Sequence, residues 1–577
     1  MSMDPKHAMR VARGTKKASL VLKNARIINV YTGEIEHGDI AIEEGKIVGV
    51  GTYNGADEIN LQERYVAPGF IDGHVHIESS MLTPPAFASL VLPKGTTTII
   101  ADPHEIANIS GIDGVRFMVE SSRNIPLEVH VMIPSCVPAT AYENNGATID
   151  VQDVEALKDT TGILGLGEVM DYPAVLEGEE NIHQKIASMR GRIIDGHAPD
   201  IVGNDLNAYT LAGVMTDHEC TQVDSMLERL RRGMYVHLRE GSATRNLATL
   251  IQGVTKDNLH RTLFCTDDKH PEDILEEGHI NYNINLAIQH GLAPVDAIKM
   301  ATLNAAQCYR LDHLGAIAPG KQADLVVFEN LQKIEPMFVF KRGVCVAKHN
   351  KALFETQAAK QKAVTQTVNV KKAALDFQLK LSHDTVRVIG LIPKNITTKQ
   401  HERTVKLDAG HFSYDPKQDI MKLAVIERHR ATGHIGLGLV EGFGFKQGAL
   451  AMTVAHDSHN IIVVGTDDAA IEAAVDKIID IQGGIVLVKD KKVIDYLQLE
   501  IGGIMTNQPV ETVSAALKRM HQSLQEMGLA KTVDDPFISL SFLALPVIPK
   551  LKLTDIGLFD VEQFKHVPLE AVTADED

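Results

Sequence analysis

The chain has 577 residues, more than a single barrel of about 250 residues needs, so we predict one large core with smaller domains attached. Its 57 Lys and Arg residues stand against 75 Asp and Glu residues, and the formal net charge of −18, with no basic block, excludes a nucleic-acid-binding protein. With 44% hydrophobic residues and no apolar run near the roughly 18 residues of a membrane span, an ordinary globular protein without membrane attachment is expected.

The N-terminal segment and the cysteines indicate the compartment. Residues 1–18 are basic but contain neither the apolar stretch nor the cleavage site of a signal peptide, so we predict an N-terminal extension. The five cysteines are odd in number and far apart, which does not suit a disulfide framework. We therefore expect a cytoplasmic protein.

The pattern of strands and helices predicts an α/β fold centred on a (β/α)8 TIM barrel. Short alternating strands occupy residues 19–64. Over residues 65–312, eight apolar runs alternate with helical stretches at the spacing of one strand plus one helix. An open doubly wound sheet is the alternative. Short strands return over residues 313–350, so a small β-sandwich domain built from both sides of the barrel is predicted.

Two segments follow the barrel and its flanking domain. Residues 351–375 are rich in Lys, Ala, Gln and Thr, which predicts a linker. Residues 376–577 contain the strands HNIIVVGT and GGIVLVKD and the helix DDAAIEAAVDKIIDI, which predict an additional C-terminal α+β domain.

Residues that can bind metals end several of the barrel runs. His74 and His76 close the run APGFIDGHVHI, and residues two apart on a strand share a face, so both imidazoles are expected at the barrel mouth. Later runs end in Glu168, His197, His218 and Asp267. Taken singly, Glu168 is also explained as an ion-pair partner, His197 as a core histidine and His218 as a helix cap. The recurrence of such residues at the ends of the barrel runs favours a metal site. Because the set exceeds the needs of one tetrahedral ion, two divalent ions per chain are predicted.

Several motifs are similar to those of a known family. APGFIDGHVH, the later histidines, CTDDKHP and HLGAIAPGKQADLVVF resemble the amidohydrolase superfamily. ADPHEIANISG, EVMDYP, LREGSA, AMTVAHDSHNIIVVG and LPVIPKLKLTDIGLFD resemble the bacterial-type adenine deaminases, from about residue 20 to about residue 570. The resemblance implies hydrolytic deamination of adenine to hypoxanthine and ammonia by a metal-activated hydroxide, a reaction of purine salvage.

The resemblance also implies how the ions are held. His74, His76 and Asp267 would hold the more buried ion, while Glu168 would bridge to a second ion. That second ion would be held by His197 and His218. Manganese is the expected metal, with iron or zinc as alternatives.

Asp268 directly follows Asp267, so the choice between them needs an argument. On a strand the two side chains would face opposite ways, and only one could be the ligand. We choose Asp267 because it follows Thr266 in the pattern of the superfamily. Asp267 is also expected to carry a proton from the hydroxide to the leaving amine.

The ring of the substrate needs a proton donor, and the loop after the second strand offers Asp102, His104 and Glu105. For Asp102, a turn followed by a helix cap is an equal interpretation. Further substrate contacts are expected from mouth loops, at Glu78, Ser79, Arg239 and Ser242.

The mouth loops ADPHE, CTDD and GEVMDYP are acidic and contain no phosphate-binding pattern, which favours a neutral base over a nucleotide. The preference for adenine over adenosine depends on the resemblance. We expect a homo-oligomer, a dimer, with no nucleic-acid or membrane partner.

Three interpretations remain for residues 456–460, HDSHN: a polar turn, a second metal or nucleophile site, or a cover for a barrel mouth. Other functions also stay open at this point. One is an amidohydrolase acting on a cyclic amide or a different amino-heterocycle, and the other is a non-catalytic barrel scaffold that should have lost ligands. A zinc-dependent cytidine-type deaminase is excluded, because the H-x-E and P-C-x-x-C motifs are missing.

Overall fold

A computed structural model describes residues 4–199, 201–359 and 362–571 of the chain. Parts of four predicted segments lie outside the described residues, namely residues 1–3, 200, 360–361 and 572–577. Within the described ranges, no helix combines the length and the apolar character that crossing a membrane requires.

Eight parallel strands form a closed barrel. They are Phe70–Val75, Thr96–Ala101, Glu128–Ile133, Ile163–Val169, Ile193–Gly196, Thr216–Asp217, Tyr235–Arg239 and Thr262–Cys265. The Met215 N–H donates to the Ile194 carbonyl at 3.0 Å and joins the fifth strand to the sixth. Directly after the eighth strand, the Asp267 N–H donates to the His74 carbonyl of the first strand at 2.9 Å and closes the barrel. The predicted barrel is confirmed, and the open sheet is excluded.

Helices alternate with these strands, as the spacing of the runs predicts. Three of them, Pro84–Val91, Pro271–Glu276 and Pro294–Lys299, begin with proline, whose missing N–H is harmless in a first turn. The other α-helices here are His104–Ser121, Val151–Leu157, Tyr172–Glu177, Glu180–Ser188, Gly203–Leu211, Val223–Arg231, Leu247–Leu250, Ile280–Gln289 and Ala305–Cys308. Short 3-10 turns occupy Ile77–Ser80, Leu92–Lys94, Ile251–Gly253 and Leu259–Arg261, and Met300–Asn304 is a π-helical turn.

Strands from both sides of the barrel join in one nine-stranded sheet, with the helix Pro5–Ala12 packed against it. Its strands are Ala18–Ile28, Ile35–Glu43, Lys46–Gly51, Gly55–Asn60, Tyr65–Pro68, Leu325–Phe328, Phe338–Lys341, Val344–Lys348 and Lys351–Ala352. Tyr65–Pro68 pairs with Ala18–Ile28 and with Leu325–Phe328, so it is where the two halves meet. The sheet therefore takes in Tyr65–Pro68, which sequence analysis assigned to the barrel, and Lys351–Ala352, which it assigned to the linker.

The C-terminal part contains an eight-stranded sheet. Its strands are Thr385–Leu391, Thr398–Thr404, Ile420–Ile426, Ile435–Glu441, Ala449–Met452, Ile461–Gly465, Gly484–Lys489 and Lys492–Gln498. The α-helices are Asp468–Ile481, Val510–Met527 and Pro536–Ser541, and 3-10 turns lie at Lys362–Val364, Lys372–Ala374 and Phe542–Ala544. Small sheets use Leu407–Asp408, His411–Phe412, Leu551–Leu553, Leu558–Asp560 and Lys565–His566. The two strands and the helix predicted from HNIIVVGT, GGIVLVKD and DDAAIEAAVDKIIDI are confirmed.

The C-terminal sheet and the barrel share one hydrophobic core. Buried Val75 and Ile106 of the barrel belong to the same packed cluster as Met452 and Leu524 of the C-terminal part. Backbone hydrogen bonds also cross between the two parts, for example from the Thr506 N–H to the Met81 carbonyl at 2.9 Å. Because burial of apolar surface dominates the free energy of folding, the two parts stabilise each other.

Candidate active site

The six predicted ligands meet at the mouth of the barrel. Each lies near or just after the C-terminal end of a strand, in the order His74, His76, Glu168, His197, His218 and Asp267. All except the half-buried His197 are buried. Their nitrogen and oxygen atoms form groups of three, among them Glu168 with His197 and His218, in which the atoms lie within 4.8 Å of one another. Clusters of this composition bind divalent metals.

Glu168 stands between two pairs of histidines. Its Oε1 lies 3.3 Å from His76 Nε2 and 3.8 Å from His74 Nε2. Its Oε2 lies 2.7 Å from His197 Nδ1 and 3.3 Å from His218 Nε2. Burial alone raises the pKa of Glu168, but the imidazoles around it outweigh burial and hold the pKa well below its usual range. Each oxygen of an ionised Glu168 thus faces a different pair of nitrogens, as a bridging carboxylate requires.

A backbone carbonyl orients the ring of His76. His76 Nδ1 lies 2.8 Å from the carbonyl oxygen of Asp102, which only accepts hydrogen bonds, so Nδ1 carries the proton. Nε2 therefore presents its lone pair to the cluster, 3.2 Å from His74 Nε2 and 3.0 Å from Asp267 Oδ1. A metal-ligating histidine is oriented in the same way by its second nitrogen. The residues present fit a divalent ion.

Asp267 does not lie on a strand. The eighth strand ends at Cys265, and Asp267 has a φ of 59°, in the left-handed region. The alternation that sequence analysis used to separate Asp267 from Asp268 therefore does not apply here. Asp267 Oδ1 lies within 3.0 Å of His76 Nε2, whereas the Asp268 carboxylate accepts a hydrogen bond from the Ser79 hydroxyl. Asp268 still lies near enough to form a three-residue group with His76 and Asp267.

Asp102 supports Glu168 rather than facing the cleft. Its Oδ2 accepts the Glu168 backbone N–H at 2.8 Å, and the side chain is buried. Gly167 is needed for this contact, because a Cβ there would lie 2.1 Å from Asp102 Oδ2. The proton-donor role expected of Asp102 stays a prediction, and the contact observed for its side chain is with the Glu168 backbone.

Arg239 is held by two carboxylates. Its Nη1 donates to Asp267 Oδ2 at 2.7 Å, and its Nη2 donates to Glu219 Oε2 at 3.0 Å. Arg239 is buried but still lines the cleft, so its predicted contact with the substrate stays a prediction beside its observed contact with Asp267. Sequence analysis missed Glu219, which lies 3.4 Å from His218 Nε2. Its position directly after a predicted ligand was the available signal.

The remaining predicted substrate contacts bond to protein groups. Glu78 lies behind the cleft, where it accepts a backbone N–H at 3.3 Å, and burial raises its pKa to about 7. The hydroxyls of Ser79 and Ser242 donate to Asp268 and Asp273. Of these three predicted contacts, Ser242 lines the large cleft above the cluster.

That cleft has a volume of about 1440 Å³ and is walled by the barrel mouth and by C-terminal residues. His104 and Glu105 of the barrel line it together with His456 and Asp457 of the C-terminal part. This arrangement favours the interpretation of residues 456–460 as a cover over the mouth. Asp457 is buried and its Oδ2 has no hydrogen-bond partner, a feature that no pattern in the sequence indicated.

His104 lies between Glu105 and Glu168. Its Nε2 is 3.4 Å from Glu105 Oε1, and its Nδ1 is 3.2 Å from Glu168 Oε1. Both oxygens of Glu105 also contact imidazoles of the C-terminal part, those of His456 and His459. Both oxygens of the Glu105 carboxylate are thus occupied by imidazoles, and the proton-donor roles predicted for Glu105 and His104 stay predictions.

Both the barrel and the C-terminal part of the chain are similar to known proteins. Residues 65–349 match the amidohydrolase family, and residues 395–565 match the adenine deaminase C-terminal domain. An adenine deaminase of Clostridium acetobutylicum is 49% identical over 96% of this chain and 98% of its own length. Adenine deaminase 2 of Carboxydothermus hydrogenoformans is 47% identical over 98% of this chain and 99% of its own. An adenine deaminase of Geobacillus kaustophilus is 45% identical over 96% of this chain and 97% of its own length.

These matches extend across the barrel and the C-terminal part alike, and the residues at the mouth are of the metal-binding types that the family resemblance implied. The chain therefore belongs to the adenine deaminase family, hydrolases that act on carbon–nitrogen bonds.

Proposed function

We propose that this chain hydrolyses adenine to hypoxanthine and ammonia at the mouth of its barrel. The observation that carries the proposal is Glu168, whose two oxygens face the His74–His76 pair and the His197–His218 pair. Such a carboxylate suits a centre with two divalent ions.

Two ions per chain would share the six ligands, with manganese as the expected metal and iron or zinc as alternatives. His74, His76 and Asp267 would hold one ion, and His197 and His218 the other, while Glu168 would contact both. When bound, such ions supply a water molecule that ionises near neutral pH and attacks a ring carbon.

The chain's own residues would move the protons. Arg239 binds Asp267 Oδ2, so Oδ1 is the oxygen left to take a proton from the attacking water and deliver it to the leaving amine. His104 lines the cleft beside Glu168 and would donate the proton that the ring nitrogen keeps in hypoxanthine. Asp102 and Glu219 would position these groups without contacting the substrate.

The charges around the cleft support a neutral base as the substrate. Glu105, Asp268, Asp273 and Asp457 line the cleft. The cations that line it, Arg239, Arg245, Lys394 and Lys518, are each paired with a carboxylate. A phosphate would need free cations or backbone N–H groups in this cleft. A neutral purine instead has N–H groups that can donate hydrogen bonds to carboxylates.

The test is ammonia release from adenine, adenosine, AMP, guanine and cytosine by the manganese-loaded enzyme, together with elemental analysis of the loaded protein. We expect adenine to have the highest kcat/KM and two metal ions per chain. A kcat/KM for adenosine equal to that for adenine would contradict the substrate, and one ion or fewer would contradict the two-ion centre. A role in purine salvage, a homodimer and a cytoplasmic location stay predictions.

A further inference from the structure

The barrel residue Glu105 is bound on both sides by the C-terminal part. His456 Nδ1 contacts Glu105 Oε1 at 2.5 Å, and His459 Nε2 contacts Glu105 Oε2. We propose that residues 455–460, the 455–460 segment, fix Glu105 as a hydrogen-bond acceptor and thereby position His104 for proton transfer. The proposal rests on the proposed function, since it assigns His456 and His459 as positioning residues for that reaction.

The direction of one hydrogen bond follows from its neighbours. The Ala455 backbone N–H donates to His459 Nδ1 at 3.1 Å, so Nδ1 carries the lone pair. In the neutral ring Nε2 must then hold the proton, and it donates to Glu105 Oε2. A metal ligand would need the lone pair on Nε2 instead. The trio of Glu105, His456 and His459 is therefore a hydrogen-bonded clamp rather than a further metal site, although its composition would suit an ion.

Buried polar contacts hold the segment in place. Arg428 is fully buried, its Nε donates to the His459 carbonyl, and its Nη2 donates to the Gly502 carbonyl at 2.9 Å. The Asn460 amide donates to the Asn144 carbonyl of the barrel at 2.7 Å. The ring of His456 stacks on Phe542 with centroids 4.6 Å apart. Since these partners leave the two imidazoles little freedom, both can hold Glu105 in one position.

His104 connects the clamp to the metal cluster, and Asp457 Oδ1 of the 455–460 segment also lies 3.9 Å from His104 Nε2. Glu105 Oε1 lies 3.4 Å from His104 Nε2, and His104 Nδ1 lies 3.2 Å from Glu168 Oε1. Because His104 lies between Glu105 and Glu168, a shift of the Glu105 carboxylate would change where the His104 imidazole lies relative to the substrate. Misplacement of a reacting group by about 1 Å costs on the order of 10²-fold in rate.

The experiment is a double-mutant cycle on the full-length, metal-loaded enzyme. The variants are His459→Gln, His456→Gln, Glu105→Gln and the double variant Glu105→Gln/His459→Gln, with His383→Gln on the exposed surface of the C-terminal part as the matched control. For each protein, kcat, KM for adenine, metal content and the unfolding midpoint are measured.

We expect each single variant of the clamp to lower kcat by about 10- to 100-fold, the range for groups that orient a site, with little change in KM and unchanged metal content. The double variant should be no slower than Glu105→Gln, because His459 acts through Glu105. The control should match the natural protein. His456→Gln provides an independent reading if His459→Gln does not fold.

Three outcomes would overturn the clamp: losses of kcat that multiply in the double variant, a third metal equivalent that disappears with His459→Gln, or losses that only follow metal content or the unfolding midpoint. Failure of the unmodified enzyme to release ammonia from adenine would overturn the proposed function. Activity on adenine with a multiplicative cycle would overturn the clamp alone.

Discussion

Arg239 Nη1 donates to Asp267 Oδ2 at 2.7 Å, while the opposite oxygen of Asp267 faces His76 Nε2 at 3.0 Å. One carboxylate therefore divides its oxygens between a permanent cation and the histidine cluster at the barrel mouth. This division keeps Asp267 ionised and fixes its orientation.

For Arg239→Gln we expect kcat/KM to fall by about 10²-fold, because Asp267 and Glu219 lose their common partner and a buried charge is left unpaired. Arg239→Lys should lose less, about 10-fold, since lysine keeps the charge but not the planar fork. Burial alone raises the pKa of Asp267 and Arg239 opposes it, so the acidic limb of the pH profile should move to higher pH in Arg239→Gln. Arg245→Gln, which alters a cleft arginine paired with Glu277, is the control. An unchanged rate in Arg239→Gln would contradict this role.

Glu168→Gln should keep the fold but weaken the metal centre, because a neutral amide oxygen joins two cations poorly. We expect fewer than two ions per chain by elemental analysis and a large loss of ammonia release. Glu276→Gln, on the outer wall of the same cleft, should keep both. Full metal content with full activity in Glu168→Gln would show that Glu168 is only structural.

Substitutions of Asp267 and of Asp268 test which of the two aspartates takes part in the reaction. Asp267→Asn should slow turnover by at least about 10²-fold, the low end for removing a positioned acid–base group. Asp268→Asn should cost less, since its carboxylate accepts a hydrogen bond from Ser79, whereas Asp267 Oδ1 lies 3.0 Å from His76 Nε2. Steady-state kinetics on both decides, and an inactive Asp268→Asn beside an active Asp267→Asn would reverse the assignment.

Removal of the C-terminal part should abolish activity. A chain ending near Asn350 would expose the cluster that contains Val75 and Ile106 and would lose both imidazoles bound to Glu105. We expect aggregation or a loss of ammonia release, checked by size-exclusion chromatography and an activity assay. A soluble, folded truncation with normal kcat/KM would show that the barrel is sufficient.

The strands whose C-terminal ends carry or directly precede His74, Glu168, His197 and His218 were predictable, because apolar runs of regular spacing fix both the barrel and the edge at which its strand ends meet. Asp267 was identified by resemblance, but the argument from strand alternation failed, since the strand ends at Cys265. Alternation describes residues inside a strand and says nothing about the loop beyond it.

The contacts of Glu105 were beyond the reach of sequence analysis. Glu105 and His456 are separated by 351 positions, and only packing of the C-terminal sheet on the barrel brings them together. Local patterns carry no information about such a pairing. The observed contacts of Asp102 and Arg239 were unpredictable for a related reason, because each side chain bonds to a residue far away in the sequence.

The separation between Glu105 and His456 also has a consequence for biosynthesis. Ribosomes add about 5–20 residues per second, so the 351 positions between them correspond to roughly 20 to 70 seconds of translation. Strands three to eight of the barrel are synthesised within that interval, and the apolar surface that packs on the C-terminal sheet remains uncovered until the sheet follows. A nascent barrel of this kind is a natural client for chaperones, and prematurely terminated chains would be inactive and prone to degradation.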